Sequence, residues 1–175
     1  MSDAPSRTVV VWDPLVRIFH WTLVTAVLID LVLEAGSKIH IWAGYTVAGL
    51  VVFRLVWGVI GSRHARFSDF VRSPGAVLGY LKDLRRGKAR HYLGHNPAGG
   101  AMILLLLAAL VITAGTGVLM NTDRFWGNDL IEGIHETAAN AFYILVPIHL
   151  AGVVLSSLLH KENLVRAMIT GRKPL

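Results

Sequence analysis

Three features of this sequence predict an all-α integral membrane protein, a four-helix bundle with both termini cytoplasmic. The chain has four apolar stretches long enough to span a bilayer. Of its 175 residues 54% are hydrophobic, with a mean hydropathy of +0.55, more apolar surface than one soluble domain of this size hides from water. Its basic residues gather between the apolar stretches rather than within them. The stretches run over residues 15–33, 40–60, 98–119 and 131–159, inside a single membrane-embedded domain covering 1–175. No internal repeat or low-complexity segment interrupts it.

The lead-in, residues 1–14, is polar and carries Asp3, Arg7 and Asp13, which is not the plan of a cleavable signal peptide. The first helix, 15–33, is therefore expected to stay in the mature protein. Each stretch reaches the roughly 20 residues that cross about 30 Å of hydrocarbon. The fourth, 131–159, would run roughly 43 Å at about 1.5 Å per residue, so it must tilt or protrude. Glu132 and Glu136 place its first turn outside. The short links 34–39 and 121–130 force two antiparallel hairpins. The middle connection, 61–97, is long and holds Arg63, Arg66, Arg72, Lys82, Arg85, Arg86, Lys88 and Arg90. Within it 77–84 is amphipathic and suits a helix on the membrane surface, with a solvated loop as the alternative. The run Gly94-His95-Asn96-Pro97 reads as a turn, with Asn96 as N-cap and Pro97 at the first position of the third helix; His95 is expected to be a solvated loop residue.

Of the 17 Lys and Arg, the two hairpin loops hold only Lys38 and Arg124, and the positive-inside rule then puts both termini in the cytoplasm. Trp12 and Trp57 would lie near the inner interface, Trp42 and Trp126 near the outer one, and Trp21 a little deeper. This topology accounts for the net charge of +6 and the pI near 10.1, so a nucleic-acid partner is not expected. There are no cysteines, which excludes disulfides, thiolate-held clusters, zinc ribbons and covalently attached haem. A metal would have to sit on His or carboxylate.

Of eight histidines, His64, His91, His95 and His160 sit in or beside the basic regions. His20, His40, His135 and His149 fall in the apolar stretches, where an ionisable group is costly and is by default functional. His135 and His149 are fourteen residues apart, roughly 40° out of register and about 21 Å apart along one helix. With the amino terminus inside, His20 shares a level with His149 near the inner surface, and His40 with His135 near the outer one. His149 counts somewhat deeper than His20, a difference that helix tilt absorbs. Two facing pairs at two depths suit two bis-histidine haems, because low-spin haem iron takes an imidazole on each side in a dry slot between helices. A helix–helix hydrogen bond is the plainer reading of one such histidine. The third helix offers no ligand. Gly44, Gly49, Ala138, Ala139 and Gly152 would let a flat macrocycle approach backbone, or let bare helices pack. Arg54, fourteen residues after His40, points to nearly the same face at the inner level. A haem propionate is its expected partner, with Arg17 as second candidate; snorkelling to lipid phosphates is the alternative for both. Asp30 is expected to snorkel outward, with proton uptake or release as its functional alternative.

Several runs together resemble one family: Val11-Trp12-Asp13-Pro14-Leu15-Val16-Arg17-Ile18-Phe19-His20-Trp21, His40-Ile41-Trp42-Ala43-Gly44, Arg54-Leu55-Val56-Trp57-Gly58, Gly94-His95-Asn96-Pro97-Ala98-Gly99-Gly100 and Ile134-His135-Glu136. They are similar to the bacterial cytochrome b561 family, which includes the b-type cytochrome subunits of nickel-iron hydrogenases. The resemblance covers almost the whole chain. It implies a four-helix core in the bacterial inner membrane with two non-covalent haems b, and His20, His40, His135 and His149 match the ligand positions. It further implies electron exchange between the quinone pool, with ubiquinone as substrate, and an outer-face partner, either a periplasmic c-type cytochrome or another redox subunit. Some members oxidise superoxide, and a haem-bearing anchor for a larger oxidoreductase is a further form. From another class, a histidine-containing proton or metal transporter would fit the same intramembrane residues, but would be colourless.

Overall fold

The computed structural model describes residues 8–174; Asp3 and Arg7 of the lead-in lie outside them. In chain order the elements are β1 (Thr8–Val10), α1 (Pro14–Val32), α2 (Lys38–Ile60), a 3-10 turn (Arg63–Ala65), α3 (Phe67–Phe70), α4 (Pro74–Arg85), α5 (Pro97–Met120), α6 (Asp129–His160), α7 (Leu164–Thr170) and β2 (Arg172–Pro174). The four expected apolar stretches are α1, α2, α5 and α6, each one continuous helix. The amphipathic segment is helical as α4, so the loop alternative falls.

Local chemistry sets where these helices start. Side chains that compete for backbone amides stop the preceding chain and satisfy the orphan N–H groups of the next helix. The Val16 amide donates to Asp13 Oδ1 at 2.9 Å, and the Gly99 amide to Asn96 Oδ1 at 2.8 Å, with Pro14 and Pro97 just after these caps. Ser37 caps α2 and Asn128 caps α6 in the same manner. Inside α6, Pro147 has no amide hydrogen, so the Tyr143 carbonyl one turn earlier loses its helical donor.

α1 packs on α2, α2 on α5 and α5 on α6. Their shared interior is made of Ala26, Val47, Val51, Leu107, Ala109, Leu110, Ala114 and Phe142, so all four long helices contribute. Large apolar side chains face outward instead: Ile18, Val52, Ile60, Leu105, Ile144, Val154 and Leu158 are each more than half exposed. At most 22% of any of the four apolar segments is buried in the protein. Uncovered apolar surface on that scale requires lipid around it, as in a multi-pass membrane protein.

A second core closes the end where β1 and β2 meet. Val11, Trp12, Val16, Ala65 and Ala167 are buried together, and β1 pairs antiparallel with β2, Val9 opposite Lys173. The Val11 and Trp12 amides both donate to the Gly171 carbonyl, at 2.8 and 3.1 Å. Gly171 has φ +79°, and a Cβ there would lie 2.6 Å from the Trp12 carbonyl oxygen, so only glycine fits this crossing. The aromatic belt is corrected on this side: Trp12 is a core residue at 5% exposure, and the Trp57 indole donates to Asp13 Oδ2. Trp42 and Trp126, at 72% and 77%, do face outward.

Candidate haem-ligating site

Ser37 caps α2 through the amide of His40, which fixes that histidine in the first turn of the helix. His135 comes from the second turn of α6. The two imidazoles meet with ring centres 6.3 Å apart and planes at 77°. They line a cleft between α1, α2, α5 and α6 that holds ≈ 690 Å³ of atom-free space, its open mouth included. Gly44 lines it too, and a Cβ there would meet nothing within 4 Å.

The far nitrogens decide what the near ones can do. Nδ1 of His135 lies 2.9 Å from the Thr113 carbonyl and 3.2 Å from the Thr116 hydroxyl oxygen. A carbonyl only accepts, so Nδ1 carries the hydrogen and Nε2 keeps its lone pair, the tautomer a metal requires. A Cβ at Gly117 would lie 3.1 Å from the same ring, so a side chain there would crowd the imidazole away from α5. Across the cleft, Nδ1 of His40 lies 3.4 Å from Asp30 Oδ1, near enough for charge contact but not aligned as a hydrogen bond. Asp30 faces its histidine rather than snorkelling outward.

These residues fit iron porphyrin on geometry. A metal–imidazole bond of about 2.0–2.1 Å, plus roughly 1 Å from each nitrogen to its ring centre, separates two rings on one ion by about 6 Å. The observed 6.3 Å is that distance. Among the described residues no three His, Asp or Glu side chains gather into a cage for a bare metal ion.

The second pair comes from α1 and α6, which carry His20 and His149. The His20 ring lies edgewise to Trp21, centres 5.2 Å apart. Arg54 does not snorkel: it is 6% exposed, its guanidinium lies 5.0 Å from the Phe67 ring centre and 5.8 Å from that of Phe70, and its Nη1 is shielded without a partner. Gly58, one turn on, leaves the notch that Phe67 fills. A buried guanidinium nitrogen with no acceptor is a place for an anion. Arg17 instead donates from Nη1 to the Ile169 carbonyl at 2.6 Å, tying α1 to α7, while its Nε is shielded and unpartnered.

His95 overturns the expectation of a solvated loop residue. Its ring lies between Trp12, at 4.6 Å, and Phe70, at 5.0 Å, with Nδ1 shielded and unpartnered. Burial, and after it the positive charges of Arg54 and Lys173, push it down to about 3, so it is neutral at physiological pH. The turn before α5 is there as expected, and only its solvation is corrected; the aromatic sandwich comes from α3 and the amino-terminal segment, which no local pattern links to His95. Thr113 and Thr116 were also missed, because a carbonyl's partner is invisible in side-chain spacing.

The profile of prokaryotic cytochrome b561 matches residues 11–171. The chain belongs to the prokaryotic cytochrome b561 family. Membership implies haem b as the cofactor of this b-type cytochrome. A protein of Rhizobium leguminosarum bv. viciae named "Probable Ni/Fe-hydrogenase B-type cytochrome subunit" is 22% identical over 95% of this chain and 89% of its own length. One of the same name from Bradyrhizobium diazoefficiens is 24% identical over 95% and 86%. These alignments run over 214 and 212 positions, more than the 175 residues of this chain, so both relatives carry segments without a counterpart here. No solved structure matches the chain significantly.

Proposed function

We propose that this cytochrome b561 family member is a di-haem electron carrier of the bacterial inner membrane, moving electrons between the quinone pool, with ubiquinone as substrate, and an outer-face redox partner. The observation that carries the reading is the His40–His135 pair, 6.3 Å apart across an open cleft with Nδ1 of His135 committed to a carbonyl. Haem iron on such a pair supplies a one-electron ferric/ferrous couple. His40 and His135 hold the outer haem and His20 and His149 the inner one. Arg54 offers the inner propionates a buried cation, and Arg17, one nitrogen already committed to α7, is the second candidate. Both chain ends lie on the cytoplasmic side, a reading supported by the basic residues that cluster at the termini and in the 61–97 connection. The four-helix bundle keeps water from the ligands, so the ligand set and the nearby charges govern the potentials.

The partner is a periplasmic c-type cytochrome or another redox subunit. The relatives' names favour the second, a membrane anchor within a larger oxidoreductase such as a hydrogenase; a superoxide oxidase of the same family is the remaining form. Stable copurification with a catalytic subunit distinguishes the anchor. A pyridine haemochrome assay with redox titration of the purified chain is expected to return two haems b per polypeptide. His135→Ala and His149→Ala should each lose one haem while the helix content of the protein persists. A haem-to-protein ratio that neither change lowers rules out the ligand assignment.

A further inference from the structure

A carboxylate inside an apolar helix is expensive and persists for a reason. Asp30 lies in α1 and lines the same cleft as His40 and His135. Asp30 Oδ1 and His40 Nδ1 are both shielded, neither has a hydrogen-bond partner elsewhere, and they face each other at 3.4 Å. The two are in charge contact without an aligned hydrogen bond, and neither atom has another polar partner to compete for it. Their side chains are only 19% and 21% exposed, so water screens the contact weakly.

The opposite ligand is held differently. His135 gives its Nδ1 hydrogen to a neutral carbonyl, beside a neutral hydroxyl. One imidazole of the pair is thus backed by an anion and the other by a dipole. A carboxylate at Nδ1 raises the basicity of the ligating nitrogen and adds negative charge near the metal, and both effects favour ferric over ferrous iron. We infer that Asp30 is a positioning residue for His40, orienting its ring through Nδ1 and lowering the potential of the outer haem relative to a ligand pair backed by carbonyls alone. The inference rests on the di-haem reading proposed above.

Asp30→Asn keeps the shape and removes the charge; Asp30→Glu keeps the charge. In the purified full chain, spectroelectrochemical titration should show one of two midpoint potentials raised in Asp30→Asn, the other unmoved, and the raised one returning toward the wild-type value in Asp30→Glu. Loss of one haem from Asp30→Asn that Asp30→Glu restores also supports the contact. Unchanged potentials at full haem content, or a fall in either, overturn it. A wild-type chain that binds no haem removes the di-haem reading itself, an outcome the haem assay separates from the others.

Discussion

Asp13 illustrates how one side chain can hold several segments. It caps α1 through Oδ1, while Oδ2 takes the Ser62 hydroxyl and the Trp57 indole, joining α1 to the end of α2 and the turn after it. Burial alone would push the carboxyl up, but the hydrogen bonds from Ser62, Val16, Trp57 and Leu15 together hold it below its ordinary 3.8. A carboxylate depressed by folding contributes stability that is fully present above about pH 4 and is lost as pH falls through the depressed value. Asp13→Ala should cost about 1–2 kcal/mol at neutral pH. In detergent-solubilised protein its thermal-unfolding deficit against wild type should shrink between pH 6 and pH 3. A deficit equal at both would mean the carboxylate's charge contributes nothing. His95 shows the limit of reading single residues: its type and neighbours in sequence were plain, and the Trp12 and Phe70 rings that enclose it were not.

At the scale of elements, α4 carries two faces. Tyr80 is buried, its ring edgewise to Tyr92, while Leu78 and Leu81 are exposed beside Lys82, Arg85 and Arg86. Exposed leucines bordered by cations suit the headgroup region of an anionic bilayer, where covering each leucine is worth about 1.5–3 kcal/mol. The chain has no cysteine, so Leu81→Cys offers a unique site for a fluorophore. In vesicles containing anionic lipid the probe should be quenched by lipid-borne quenchers and protected from iodide. Iodide quenching as strong as at an Asp123→Cys label would place that face in water. The start of α5 was legible because Asn96 and Pro97 announce it chemically, and Asp13, Ser37 and Asn128 cap the other long helices in the same way.

Across the whole molecule, the β1–β2 pairing and the buried Lys173–Glu162 bridge close the chain on itself. Lys173 Nζ lies 3.1 Å from Glu162 Oε1, with side chains 2% and 5% exposed, and His91 Nε2 approaches the same oxygen at 3.4 Å. Removing one partner strands the other charge, so Glu162→Leu should destabilise by about 3–5 kcal/mol, while adding Lys173→Met to it should recover most of that loss. Thermal unfolding of the two single changes and the double tests this. Additive losses in the double would mean the two charges act independently.

The membrane class, the four long apolar helices to within two residues at each end, and the four histidines they carry were legible in the sequence, because hydropathy over 20 residues and the solvation cost of an ionisable group are local quantities. The meeting of His40 with His135, the carbonyl that fixes the His135 tautomer, the turn of Asp30 toward His40 and the aromatic enclosure of His95 were decided by the tertiary structure. Each is a contact between residues distant in the chain. Such contacts depend on helix rotation and on which backbone groups are left unpaired, and neither is written in the order of the residues.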